Sequence, residues 1–259
     1  MPIALDLYYY MFQGGDLDSL PVVLLHGAGG SHLYWPPEIR RLASVRVFAP
    51  DLPGHGKSGN RGQQSIDAYA KIINAWLEGL GISKAVYVGH SMGSAIALSL
   101  ATSYPQQVAG LGLVGAGARM RVRQDILADC ANPTTFHKAV KSLISGAFSH
   151  FADARLVELA ASRMVETRPS VLYGDLLACH EFDLTEKLVD IKAPTLVLCG
   201  SEDQLTPLRN SQLLAGAIPN ATLKVIPEAG HMVMLEKPNE VASALQDYLT
   251  IVSRSQPGN

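Results

Sequence analysis

Charge is scarce in this chain of 259 residues: 17% are charged, and 21 basic residues against 23 acidic ones leave a formal net charge of −2. That balance offers no electrostatic footprint for nucleic acid or an anionic membrane surface. Aromatic residues are also few, at 7%, and are not interleaved with basic ones. Cysteine is nearly absent. Cys130, Cys179 and Cys199 lie far apart with no C-x-x-C spacing, an odd set that reads as free buried thiols rather than a disulfide framework or a metal site. No apolar run approaches the ~20 residues of a membrane helix. The opening "MPIALDLYYYMFQGG" has no basic leader and already carries Asp6, so it reads as neither signal peptide nor membrane span. A cytoplasmic location is the default expectation, and neither cofactor nor metal is implied.

What is present is apolar content, 47% of residues, enough for the core of one large α/β domain. "PVVLLHG" (21–27) is a short apolar run ended by glycine, suited to a strand buried on both faces. "HLYWPPEIRRLA" reads as a helix begun by prolines. "VRVFAPDLPGHGKSGN" reads as a strand and then a loop. "IDAYAKIINAWLEGLG" carries a helical stripe of Ile66, Tyr69, Ile72, Ile73, Trp76, Leu77 and Leu80, closed by Gly81. Strand "KAVYVGH", helix "MGSAIALSLATSY" and strand "VAGLGLVGAG" follow, and the alternation predicts a parallel sheet covered on both faces. The rhythm stops near Ala118, and from Arg119 to about Asp190 only helical patterns occur. It resumes with "APTLVLCG", a helix near "TPLRNSQLLAGAI", strand "ATLKVIP" and helix "NEVASALQDYLTIV". The middle segment therefore reads as a helical insertion, and the tail "SRSQPGN" as frayed.

Two glycine patterns are decoys. "GHGKSG" (54–59) and "GLGLVG" (110–115) both spell G-x-G-x-x-G. The first opens no helix and the second lies inside a strand, so neither offers the strand–turn–helix context a dinucleotide needs. "GKS" also lacks the P-loop glycine, with Asp51 standing in its place.

Gly89-His90-Ser91-Met92-Gly93 is different: it fits G-x-S-x-G at a strand-to-helix junction, the context of a nucleophile elbow. A serine on such a strained turn projects its hydroxyl above the sheet, and a side chain at Gly89 or Gly93 would clash with neighbouring backbone. The N-terminus of the next helix favours negative charge there. The serine needs a base, and on this architecture the order is serine, acid, histidine. Of the histidines at 26, 32, 55, 90, 137, 150, 180 and 231, only His231, in "PEAGHMVMLEKP", lies beyond both Ser91 and the later strands. The acid should end a strand between them. "LVLCGSEDQLTP" supplies Asp203, with Glu202 as fallback. Backbone N–H groups of Met92 and of Ala28 in "HGAGGSH" are the expected oxyanion donors, with Gly29 the alternative to Ala28.

"LLHGAGGS", "APDLPGHGKS", "VGHSMGSAIAL", "APTLVLCGSEDQLTP" and "AGHMVMLEKP" occur in one order from about Pro21 to Val252. In these the chain resembles the α/β-hydrolase superfamily, in its esterase–lipase-type branch with a helical cap. The resemblance implies an eight-stranded, mostly parallel sheet with helices on both faces, a core of residues 1–118 and 191–259, and a cap at 119–190. It also carries over Ser91, Asp203 and His231 as triad and Ala28 and Met92 as oxyanion donors. Serine at 91 argues against the branches that use aspartate there and form an ester on it.

The expected partner is a small-molecule ester, cleaved by a carboxylesterase for short to medium acyl chains. A carbon–carbon bond hydrolase, a lactonase, a thioesterase and a low-turnover ligand receptor would share the same motifs. Trp35, Met120 and Met164 are candidate pocket residues, and Arg119, Arg121 and Arg123 are candidate contacts for an acidic substrate or partner.

Overall fold

The computed structural model describes residues 3–17, 19–59 and 61–255. Two N-terminal strands, β1 (Ile3–Ala4) and β2 (Leu7–Gln13), precede β3 (Pro21–Leu25). The expected helix after β3 is broken into a 3-10 turn at His32–Tyr34 and a single-turn α1 (Pro37–Arg40). The two prolines are the cause: Trp35 and Pro36, each preceding a proline, are held extended at ψ 112° and 165°, because the proline ring disfavours helical backbone before it. β4 (Arg46–Pro50) and α2 (Ile66–Gly79) come next, then β5 (Ala85–His90), α3 (Met92–Ser103) and β6 (Val108–Val114). Four helices follow with no intervening strand, α4 (Gln124–Ala131), α5 (Phe136–Ala147), α6 (Ala154–Val165) and α7 (Pro169–Glu181). The chain closes with β7 (Thr195–Gly200), α8 (Leu208–Ala217), β8 (Ala221–Ile226), α9 (Val233–Glu236) and α10 (Pro238–Ser255).

Seven strands make the main sheet, parallel except for β2, which runs antiparallel to β4. Eight were expected; β1 is a two-residue ribbon pairing antiparallel with the outer edge of β2. Counting that ribbon, the order is β1-β2-β4-β3-β5-β6-β7-β8. The middle strands β3, β5, β6 and β7 are buried at every residue, as parallel strands covered on both faces must be. The period of two splits their side chains between two cores. Val22, Leu24, Val86 and Val88 join Ile39 of α1 and Leu245 and Tyr248 of α10 on one face. Val23, Leu25, Ala85 and Tyr87 join Tyr69, Ile73 and Trp76 of α2, Ile96 of α3 and Leu214 of α8 on the other.

The decoy glycines serve packing. A Cβ at Gly110 would lie 2.3 Å from the Tyr248 hydroxyl, which donates to the Pro194 carbonyl at 2.8 Å. One at Gly56 would lie 2.2 Å from Oδ2 of Asp51, whose carboxylate organises the loop after β4 by accepting from the His32 and Lys57 amides.

α2 starts where the Ser65 hydroxyl accepts from the Ala68 amide at 3.2 Å and stops at Gly81, with φ +70° and the Ile82 amide bonded back to the Leu77 carbonyl. The four-helix segment leaves and re-enters the core side by side: Arg119 bridges Asp183 antiparallel, and the Leu184 amide donates to the Ala118 carbonyl at 2.8 Å. Residues 256–259 of the expected frayed tail lie outside the described residues; Ser253–Ser255 belong to α10. Among the described residues no helix is long and apolar enough to cross a membrane.

Trp76 is fully buried, its ring edge-on to Tyr9 at 5.3 Å and to Phe48 at 6.4 Å. Trp76→Ala is expected to cost about 3–5 kcal/mol, read as a lowered urea midpoint with an unchanged m-value.

Candidate active site

Ser91 sits between the last residue of β5 and the first of α3 with φ 52° and ψ −118°, a strained region for a residue with a side chain. Its surroundings hold it there. Its amide donates to the Val114 carbonyl at 2.9 Å, and its own carbonyl accepts from the Ser94 amide at 2.8 Å and the Ser94 hydroxyl at 2.6 Å. A Cβ at Gly89 would lie 2.1 Å from the Gly93 carbonyl oxygen, and one at Gly93 would lie 2.1 Å from the Leu25 carbonyl oxygen. Both glycines are therefore required by backbone-to-backbone approach.

His231 follows β8, and Asp203 follows β7. The two loops meet because Gly200 has no side chain: a Cβ there would lie 2.2 Å from the Ala229 carbonyl oxygen. His231 Nδ1 is 2.9 Å from Asp203 Oδ2, and both side chains are buried. Asp203 Oδ1 also accepts from the Leu205 and Thr206 amides at 2.9 and 2.8 Å, and Oδ2 accepts from the Thr206 hydroxyl at 2.8 Å. Burial pushes the Asp203 carboxyl up, but the His231 ring and then the Thr206 donors outweigh it and hold the group below the usual carboxylate range. An ionised Asp203 only accepts, so the shared proton sits on Nδ1 of His231 and leaves Nε2 as the free lone pair. Glu202 turns away. Its carboxylate takes the exposed His150 ring at 2.7 Å.

Ser91 and His231 face one cavity of about 620 Å³. Among the described residues no hydrogen bond joins the Ser91 hydroxyl to the His231 ring. Ala28 lines the same cavity, and neither its N–H nor that of Met92, the first residue of α3, has a partner among the described residues. The Gly29 N–H donates to Asp175 Oδ2 at 2.9 Å. Met120 and Met164 line the cavity. Trp35 does not: it is fully buried in the core beside α1.

Sequence reasoning assigns no role to two residues of the site. His90 Nε2 donates to the His231 carbonyl at 3.0 Å, and its ring lies 4.7 Å from the His231 ring. Burial, then the neighbouring His231, pushes His90 down to about 3, which keeps it neutral. Thr206 is the other, and its only signal was its place three residues after Asp203, the spacing of a polar turn. Arg119, Arg121, Arg123 and Arg209 also line the cavity, and no Asp or Glu does so among the described residues. Arg119 pairs with Asp183 at 3.5 Å and Arg123 with Asp125, while Arg121 donates to the His180 carbonyl.

Gly93→Ala would drive a methyl into the β3 backbone. It is expected to destabilise by at least about 1–3 kcal/mol in urea melts and to leave the purified protein less cooperative.

The sequence pattern of the alpha/beta hydrolase fold matches residues 21–238. A putative carbamate hydrolase of Caulobacter sp. (strain K31) is 30% identical over 257 residues, covering 94% of this chain and 96% of that protein. A pimeloyl-[acyl-carrier protein] methyl ester esterase of Pectobacterium carotovorum subsp. carotovorum (strain PC1) is 30% identical over 247 residues, covering 90% and 94%. A thermophilic esterase of solved structure superposes with a TM-score of 0.80 at 35% identity, covering 95% and 98%. With the sheet order, the serine turn and these likenesses together, the chain belongs to the alpha/beta hydrolase family.

Proposed function

We propose that the chain is a serine hydrolase that cleaves carboxylic esters through an acyl-enzyme on Ser91. The observation that carries this reading is the buried His231–Asp203 pair facing the same cavity as the strained Ser91. Ser91 attacks the ester carbonyl while His231 Nε2 takes the hydroxyl proton. Asp203 holds the ring in the tautomer that leaves Nε2 free and stabilises its charged form. The N–H groups of Ala28 and Met92 receive the tetrahedral oxyanion, each worth about 10²–10³ in rate. His231 then protonates the leaving alcohol, and water repeats the sequence on the acyl-enzyme. Residues 119–190 act as a cap over a core of residues 1–118 and 191–259, its Met120, Ile126, Leu143, Met164 and Leu176 forming an apolar wall for a short to medium acyl chain. Two of the relatives described above are named esterases, which supports ester over carbon–carbon bond cleavage.

Nitrophenyl esters from acetate to palmitate test this. Turnover is expected to peak at short to medium chains and to vanish in Ser91→Ala. Asp203→Asn should lower kcat by about 10⁴, and Glu202→Gln should leave it nearly unchanged. Loss in Glu202→Gln with retention in Asp203→Asn would reverse the assignment of the acid, and rates equal to those of Ser91→Ala throughout would end the esterase reading.

The arginines that line the cavity favour a second reading, an ester or thioester carrying an anionic group. Two guanidinium groups there are balanced by Asp183 and Asp125, whereas Arg209 has no ion pair among the described residues. The matched pair is a nitrophenyl ester of octanoic acid and the nitrophenyl monoester of the dicarboxylic acid of equal length. Under this reading, Arg121→Glu with Arg209→Glu lowers kcat/KM severalfold for the acid-bearing ester alone. An unchanged ratio between the two returns the choice to neutral esters.

A further inference from the structure

The cavity's chemistry uses neither Asp175 nor Thr167, yet both converge on one residue of the loop that carries the Ala28 N–H. Gly30 donates back to the Gly27 carbonyl at 3.1 Å, closing a four-residue turn in which Gly29 has φ +63°. A positive φ at the third position of such a turn favours glycine. The Gly29 N–H goes to Asp175 Oδ2 at 2.9 Å, and the Gly29 carbonyl accepts from the Thr167 hydroxyl at 2.9 Å. A Cβ on Gly29 would meet Leu172 at 3.0 Å, Met164 at 3.5 Å and Thr167 at 3.7 Å. Every one of these neighbours belongs to α6, α7 or the link between them.

We propose that Asp175 and Thr167 are positioning residues: by gripping both peptide groups of Gly29 they set the direction of the adjacent Ala28 N–H, so that docking of the α6–α7 pair completes the oxyanion site. This rests on the Ser91-centred reading above.

Asp175 is suited to the task. It is fully buried, and besides Gly29 it accepts from His55 Nε2 at 2.7 Å and the Tyr69 hydroxyl at 2.6 Å. It thus ties α7 to the loop after β4, to α2 and to the turn in a single carboxylate. Docking a helix by packing alone needs no buried carboxylate, whose desolvation is a cost. What a carboxylate adds is direction, since it accepts only where a donor points. The turn has few fastenings of its own beyond the Gly30–Gly27 bond, so displacement of α7 and Thr167 releases both peptides that follow Ala28. Misplacement by about 1 Å can cost as much as 10²-fold in rate.

The test uses the full chain, nitrophenyl butyrate, and an aryl boronic acid that forms a tetrahedral adduct with an active serine. Thr167→Val removes the hydroxyl at nearly constant shape. It is expected to lower kcat about tenfold, with KM little changed and boronic acid affinity falling in parallel, and Thr167→Ser is expected to restore both. Asp175→Asn should act in the same direction. Tyr69→Phe, which loosens the same carboxylate, should lower kcat less than Asp175→Asn does, whereas Leu245→Val in the core at α10, which bonds to none of these groups, should lower Tm but spare kcat. A lowered Tm with kcat intact in Thr167→Val, a rise in KM alone, or an equal kcat loss in Leu245→Val would each overturn the proposal. Absence of Ser91-dependent turnover in the unmodified chain would instead sink the esterase reading on which it stands.

Discussion

The site depends on main chain meeting main chain without a side chain between. At Gly93 the first turn of α3 lies against the end of β3, with room for hydrogen but not for carbon. At Gly89 the end of β5 lies equally close to Gly93. Those two approaches force the chain to reverse within a few residues, and Ser91 takes the strained conformation at the tip. Strain of this kind costs about 1–3 kcal/mol and persists because the fully buried strands and the apolar α3 leave the backbone no other path. The same device recurs at Gly200, where the loops after β7 and β8 come together and bring Asp203 to His231.

Polar groups buried around this junction are held in a chain of hydrogen bonds. Asp203 satisfies both oxygens on the Leu205 and Thr206 amides, the Thr206 hydroxyl and His231. His90, kept neutral by burial, supports the backbone of His231 from the other side. Asp175 gathers a second set of donors, from Gly29, His55 and Tyr69. Two buried carboxylates thus hold donors, Asp203 the His231 ring and Asp175 the Gly29 amide. Burial of each is offset by the donors that surround it.

Much of this architecture was legible beforehand. The uninterrupted apolar runs at 21–25, 85–90 and 195–200 announced strands buried on both faces, and the loss of strand patterns after Ala118 announced the helices α4 to α7. The antiparallel β2 was harder to see, since "LYYYMFQ" shows no clean alternation and its burial fades from Tyr10 onward. The helix expected after β3 failed because Pro36 and Pro37 act on the residues before them as well as on their own φ. Trp35 is a pocket candidate by sequence, but its side chain is fully buried in the core.

The amino-acid sequence by itself determined the elements and the chemically able residues, because hydrophobic periodicity and glycine at a strand–helix junction are local signals. It did not determine which donors and acceptors meet. Glu202 and Asp203 are neighbours in the chain, yet only the approach of the β8 loop, permitted by Gly200, gives the ring to one and leaves the other to His150. Ala28 and Gly29 are neighbours too, and only a carboxylate 146 positions away takes the second N–H and leaves the first to the cavity. Hydrogen bonding depends on distance and direction in space, and those are properties of the packed chain.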